Sequence, residues 1–251
     1  MEKSKLTKLC SSMKIQRKEL GRKRLDEYGK QHFDEDYLIR AMTELDEISE
    51  GNLIVMGGFC ACSKILGFRK MRRTSNDLDC TTNEEGLNLL YQRFGAELFQ
   101  TTDYGDVFLE YQGIPVGFDI DETHGWKIPE SFEQDARRFS FETGNLTSIS
   151  PEFLITLKAR RSILKNRFYG KDAVDSLNIL LAPFYKPELP SIDTDKLGNL
   201  FRQHSSSSQE LILSYLDFIS KYSLNLRKEE IPIVEKFFPE LLNSVKKAYN
   251  P

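Results

Sequence analysis

Two stretches decide the fold: Asn52-Leu-Ile-Val-Met-Gly-Gly58 and, after a polar segment, Arg73-Thr-Ser-Asn-Asp-Leu-Asp79. Asn52 to Met56 is a compact apolar run of strand length, and two glycines end it. The segment that follows, to Leu66 and Gly67, suits a helix closed by glycine. A strand, a glycine pair and a helix start present free backbone N–H groups to an anion. In Asp77-Leu78-Asp79 the strand period of two puts both carboxylates on one face and Leu78 on the other. Two neighbouring carboxylates repel unless a positive charge lies between them, and hard oxygen donors suit magnesium.

Working outward, Val116-Gly-Phe-Asp-Ile120 reads as a further strand. Val116, Phe118 and Ile120 share one face, leaving Gly117, Asp119 and Asp121 on the other. Asp119 or Asp121 would add a third carboxylate to a two-metal site. Gln112-Gly113 joins this strand to Val107–Tyr111 as a hairpin. Asn83 caps a helix carrying Leu87, Leu90 and Phe94. Upstream, Leu38, Ile39, Met42, Leu45 and Ile48 recur at helical spacing after Asp34 and Asp36, which suit a helix start. Strands are expected near Phe139 and Leu146.

From Ser150 onward the pattern is helical. Ser150-Pro151-Glu152 places a capping serine before proline at the first helical position. Helices are predicted over 151–166, 171–182, 195–203, 207–222 and 229–248, with a loop from Pro183 to Pro190. The expected architecture is α/β (α+β): a mixed sheet with flanking helices, then a helical domain. The expected division is 1–50 for N-terminal helices and a basic arm, 51–149 for the α/β domain, and 150–251 for the helical domain.

Composition bounds the function. The 251 residues are 39% apolar and 29% charged with a net charge of −3, so a core exists and no uniformly basic coat does. No apolar run approaches the ~20 residues of a membrane-spanning helix, and the N-terminus has no apolar leader segment. A cytoplasmic protein is expected. Residues 1–24 hold nine Lys or Arg against two Glu. They read either as a solvated helix over 4–30 or as an arm that meets phosphates. Cys60 and Cys62, with Cys80 and His124, are spaced too tightly for a zinc knuckle and read as packing residues. Trp126, Tyr111 and Phe118 read as packing residues before base-stacking ones.

Gly57-Gly58 followed by Arg73-x-Ser75-x-Asp77-Leu78-Asp79 resembles the signature of the polymerase-β-type nucleotidyltransferase superfamily. Ser150 to Lys158 and Lys171-Asp172-Ala-Val-Asp175 resemble its AbiEii-type branch, whose members include toxins of toxin–antitoxin systems. The resemblance covers roughly residues 50–182. It implies a nucleotidyltransferase fold and transfer of a nucleoside monophosphate from an NTP to an acceptor hydroxyl. It implies Mg²⁺ on Asp77, Asp79 and Asp119. Gly57, Gly58, Arg73, Ser75 and Lys158 would lie at the nucleotide, with Asp172 orienting Lys158 or a substrate hydroxyl. Phe59 stands where the family carries a small residue. The implied partners are an NTP, RNA as acceptor by way of the basic arm, and an antitoxin protein. Two other readings stand beside this one. One is a small-molecule nucleotidyltransferase like those that modify aminoglycosides; the other is a non-catalytic nucleotide- or RNA-binding regulator on the same fold. Without the resemblance, Lys158 reads as a surface lysine whose stem lies along the helix.

Overall fold

The computed structural model describes residues 33, 35–62, 77–95, 97–101, 107–119, 122–123, 126–127, 136–142, 144–164, 167–187, 189, 191–204, 209–222 and 226–250. The basic arm, Asp34, the helix expected over 4–30, Arg73, Ser75, Asp121 and His124 lie outside them. Two compact units divide the chain, with the main break between Ser148 and Ile149.

The first unit is built on a seven-stranded sheet. Its helix α1 (Glu35–Ile48) buries Leu38, Ile39, Met42 and Leu45, the apolar stripe visible in the sequence. Strand β1 (Leu53–Met56) is buried throughout and runs straight into α2 (Gly57–Cys62). There follow β2 (Leu78–Thr82), α3 (Glu84–Phe94), β3 (Phe99–Thr101), β4 (Val107–Tyr111) and β5 (Ile114–Asp119). A separate two-stranded ladder joins β6 (Glu122–Thr123) to β7 (Trp126–Lys127). The hairpin of β8 (Arg137–Phe141) and β9 (Gly144–Ser148) closes the unit. The sheet order is β3-β4-β5-β2-β1-β9-β8. Pairing is parallel for β2 with β5 and for β1 with β9, and antiparallel elsewhere. The mixed α+β class expected from the sequence is therefore the observed one.

Local chemistry explains the joints. Asn83 accepts a hydrogen bond from Gly86 N at 2.9 Å and caps α3. Its amide also donates to Asn52 Oδ1 at 2.7 Å, tying the start of α3 to the start of β1. Gln112 and Gly113 have φ of 51° and 77°, the left-handed pair that a two-residue hairpin turn demands. α1 packs on β9 and α3, and α3 packs on β2. β3 was not foreseen, because three residues are too few to show a period.

The second unit contains α4 (Pro151–Leu164), α5 (Gly170–Tyr185), α6 (Thr194–His204), α7 (Gln209–Lys221) and α8 (Ile231–Tyr249). Ser150 accepts from Phe153 N at 3.4 Å, so the predicted serine cap and first-turn proline are in place. The expected loop from Pro183 begins later, because Pro183 lies inside α5. Proline there removes one backbone donor near the helix end, while the turn still closes through Lys186 N to Ala182 O at 2.9 Å. Ala173 and Leu177 to Ala182 are buried and hold the helix past the proline. α6 crosses α8 at Gly198, where a Cβ would fall 2.9 Å from Ser244 O.

Candidate functional site

The acidic face of the sheet is set by two registers. Between β1 and β2, Met56 is level with Asp79. Between β2 and β5, Leu78 is level with Val116, Asp79 with Gly117, Cys80 with Phe118 and Thr81 with Asp119. Level residues point to the same side. Leu78, Cys80, Val116 and Phe118 therefore share the buried apolar face. Asp79, Gly117 and Asp119 share the opposite face: the strand period predicted Gly117 and Asp119 together, and the register adds Asp79. Asp77 is exposed at the entrance to β2, and Asp79 and Asp119 are half-buried.

Gly57 meets this face directly. A Cβ there would fall 2.6 Å from Asp79 Cβ, and φ is +73°. Both facts require glycine, so the first glycine of the pair makes room for the Asp79 side chain. Gly58 and Phe59 behind it are buried. On the other side, a Cβ at Gly117 would lie 3.4 Å from Asp79 Oδ1 and 3.0 Å from the Phe108 ring. Asp79 thus sits between two glycines, with an aromatic ring beside the second. Phe108 and Gly117 were missed as neighbours of the site, because sequence carries no register between β2 and β5.

Asp79 and Asp119 stand on one face at different levels. Asp119 is level with Thr81, one same-face step beyond Asp79, and Thr81 Oγ1 donates to Asp119 O at 2.8 Å. At ~3.3 Å per strand residue, that offset is about 7 Å along the strand from Asp79. Among the described residues no group of three His, Cys, Asp or Glu is gathered closely enough to hold a metal ion. Asp79 on β2 and Asp77 just before it are hard oxygen donors of the kind magnesium takes in ones and twos together with substrate phosphates. They suit that ion without a third protein ligand. Cys80, on the opposite face, is pushed well up by burial and then by the Asp79 and Asp119 charges, which keeps it a thiol. The Cys60 thiol lies 2.8 Å from Ser148 Oγ in the interior of the first unit, a packing position.

The remaining predicted residues lie in the helical unit. Lys158 is 5% exposed, so it is not a surface lysine. Its Nζ lies 2.8 Å from Asp175 Oδ2 and 3.8 Å from Asp172 Oδ1. Both aspartates have no exposed surface. Arg161 Nε approaches Asp172 Oδ2 at 3.3 Å, and Ser162 Oγ donates to the same oxygen at 3.3 Å. Next to them Ser176 and Tyr215 share a hydrogen bond of 3.2 Å, and burial raises the Tyr215 hydroxyl far above its ordinary value. Asp172 therefore does orient toward Lys158, but Asp175 is the closer partner. Nothing in the spacing of Asp172 and Asp175 shows that both are buried; the packing of the helix decides it.

No protein-family model matches this chain, and no curated protein matches it. A solved structure resembles it: the crystal structure of an antigenic nucleotidyltransferase-like protein from Paracoccidioides brasiliensis. That protein is 16% identical, with 68% of this chain and 86% of that chain covered at a TM-score of 0.42. A likeness so distant says nothing of activity, which has to be read from the residues themselves.

Proposed function

We propose that the chain is a Mg²⁺-dependent nucleotidyltransferase that moves a nucleoside monophosphate from an NTP to an acceptor hydroxyl. The observation that carries this reading is the seat of Asp79. Its carboxylate lies against Gly57, the first residue after β1, with Asp77 exposed two residues before it at the entrance to β2. Backbone N–H groups after a strand, beside paired strand carboxylates, bring anion donors and cation ligands together. Magnesium held by Asp77 and Asp79 would neutralise triphosphate charge and lower the pKa of the acceptor. The acceptor oxygen attacks the α-phosphorus, the bond from that phosphorus to the α–β bridging oxygen breaks, and pyrophosphate leaves with the electron pair. Asp119 takes the hydroxyl proton. Gly57 and Gly58, with Arg73 and Ser75, hold the phosphates. RNA as acceptor, a toxin-like role and an antitoxin partner extend the reading along the AbiEii-type resemblance.

The test is transfer of label from each of four α-labelled NTPs to total RNA, with and without Mg²⁺. Asp77→Asn and Asp79→Asn should abolish transfer and Mg²⁺-dependent NTP binding while the melting temperature holds. NTP binding indifferent to both substitutions would overturn the assignment. One observation favours a second reading, a nucleotide binder without turnover: glycine, not a carboxylate, stands level with Asp79 on β5. Under that reading NTP binding survives without label transfer, and Asp119→Asn changes nothing.

A further inference from the structure

Between Lys158 and Lys171 the chain carries six Lys or Arg and no Asp or Glu. The overall charge is −3, so this segment is a local excess of positive charge. The first acids beyond it, Asp172 and Asp175, are buried and turned toward Lys158 and the Nε edge of Arg161. Arg161 and Arg167 converge on one ring: their guanidinium carbons lie 5.4 and 5.2 Å from the Tyr169 centroid. Arg167 is exposed, and its backbone N donates to Ser162 O at 2.9 Å, which anchors it to the end of α4. Among the described residues no carboxylate pairs with Arg167. With Nε turned to Asp172, the planar fork of Arg161 faces its opposite edge away from that carboxylate. Two guanidiniums brought to one aromatic ring gain cation–π attraction but repel each other, and an anion with several oxygens offsets the repulsion.

We propose that Arg161, Arg167 and Tyr169 form a phosphate-binding cluster on the helical unit. Its ligand is a chain of phosphate groups, taken by two guanidinium forks held in place by the ring and by Asp172. Lys158, by contrast, serves the interior as counter-ion to Asp175. The proposal does not depend on catalysis by the acidic face of the sheet.

The experiment measures binding of two probes to the full chain at low salt with chelator present: inorganic tripolyphosphate and a short single-stranded RNA. Arg167→Ala is the main variant, since an exposed side chain can be removed without touching the core. Arg161→Gln in the same background, Arg167→Lys and, as a control, Arg93→Ala at the exposed end of α3 complete the set. Whichever probe binds, Arg167→Ala should weaken it about tenfold, the loss of one charge-assisted pair, and Arg167→Lys should recover it only in part. Arg93→Ala should leave it unchanged. Tight tripolyphosphate binding assigns the cluster to a nucleotide's phosphates; binding of RNA alone assigns it to a nucleic-acid backbone. Failure of both probes to bind, or binding indifferent to Arg167→Ala, or an equal loss on Arg93→Ala, would each overturn the proposal.

Discussion

Lys158 sits where a lysine is most costly unless paired. Its ammonium is 2.8 Å from a carboxylate with no exposed surface, and a second buried carboxylate is 3.8 Å away. Removing it leaves two aspartates short of a counter-charge, which costs about 3–5 kcal/mol for a buried pair. Lys158→Met should therefore destabilise the chain by that amount in urea unfolding, and adding Asp175→Asn should return part of the loss. Equal stability of Lys158→Met and the parent chain would show that the pair is solvated. A second residue reports through pH. Tyr111 is pushed up from 10.0 to about 12, first by burial and then by its hydrogen bond to Glu44 Oε2 at 2.5 Å. The folded pKa lies above the ordinary one, so the contribution of this hydroxyl to stability is present below about pH 10 and lost as pH rises through about 12. The side chain is half-buried at the rim of the sheet, where screening keeps that contribution small. Tyrosinate absorbance of the parent minus Tyr111→Phe should titrate near 12; a difference titrating near 10 would mean that the Glu44 bond is not made in solution.

At the scale of elements, the junction of β1, α2 and β2 is the tightest part of the sheet unit. Gly57→Ala faces two penalties, a φ of +73° and a Cβ 2.6 Å from Asp79 Cβ. Left-handed backbone costs about 1–2 kcal/mol for a non-glycine residue, and overpacking costs about 1–3 kcal/mol more. The substitution should lower stability by roughly that range and displace the Asp79 carboxylate. The expected signature is loss of nucleotide binding beyond what the shift in melting temperature accounts for, measured well below the transition. Normal binding with lowered stability would separate Gly57 from the site. The reading of the other elements follows their size. α1 and α3 announced themselves by apolar spacing and caps, and the β4–β5 hairpin by its turn residues. β3 has three residues, and α5 runs through a proline that local rules treat as a stop.

The whole molecule divides into two units, each with its own interior. The helical unit buries Phe153, Leu157, Leu181, Leu197, Phe201, Tyr215, Leu241 and Val245. Close crossing at Gly198 and the bond from Ser244 Oγ to Asp195 Oδ1 at 2.8 Å join α6 to α8. A unit with that much apolar burial and its own ion network meets the requirements of an independent fold. Residues Ile149–Pro251 made alone should give a helical spectrum and one cooperative thermal transition. A sloping, non-cooperative melt would show that the helices need the rest of the chain. Among the described residues no helix is long and apolar enough to cross a membrane.

What the sequence determined by itself is what depends on neighbours along the chain. Period two put Gly117 and Asp119 on one face of their strand and Asp79 opposite Leu78 on its own; Ser150 and Asn83 marked helix starts; Gln112-Gly113 marked a turn. Each follows from backbone geometry within a few residues. Only the tertiary structure decided what depends on distant partners. The parallel pairing of β2 with β5 set Gly117, not Asp119, level with Asp79, because register is chosen by burial of Leu78, Cys80, Val116 and Phe118 together. The packing of α4 on α5 buried Lys158, where the sequence read a surface lysine, and desolvation then made Asp175 a necessary partner.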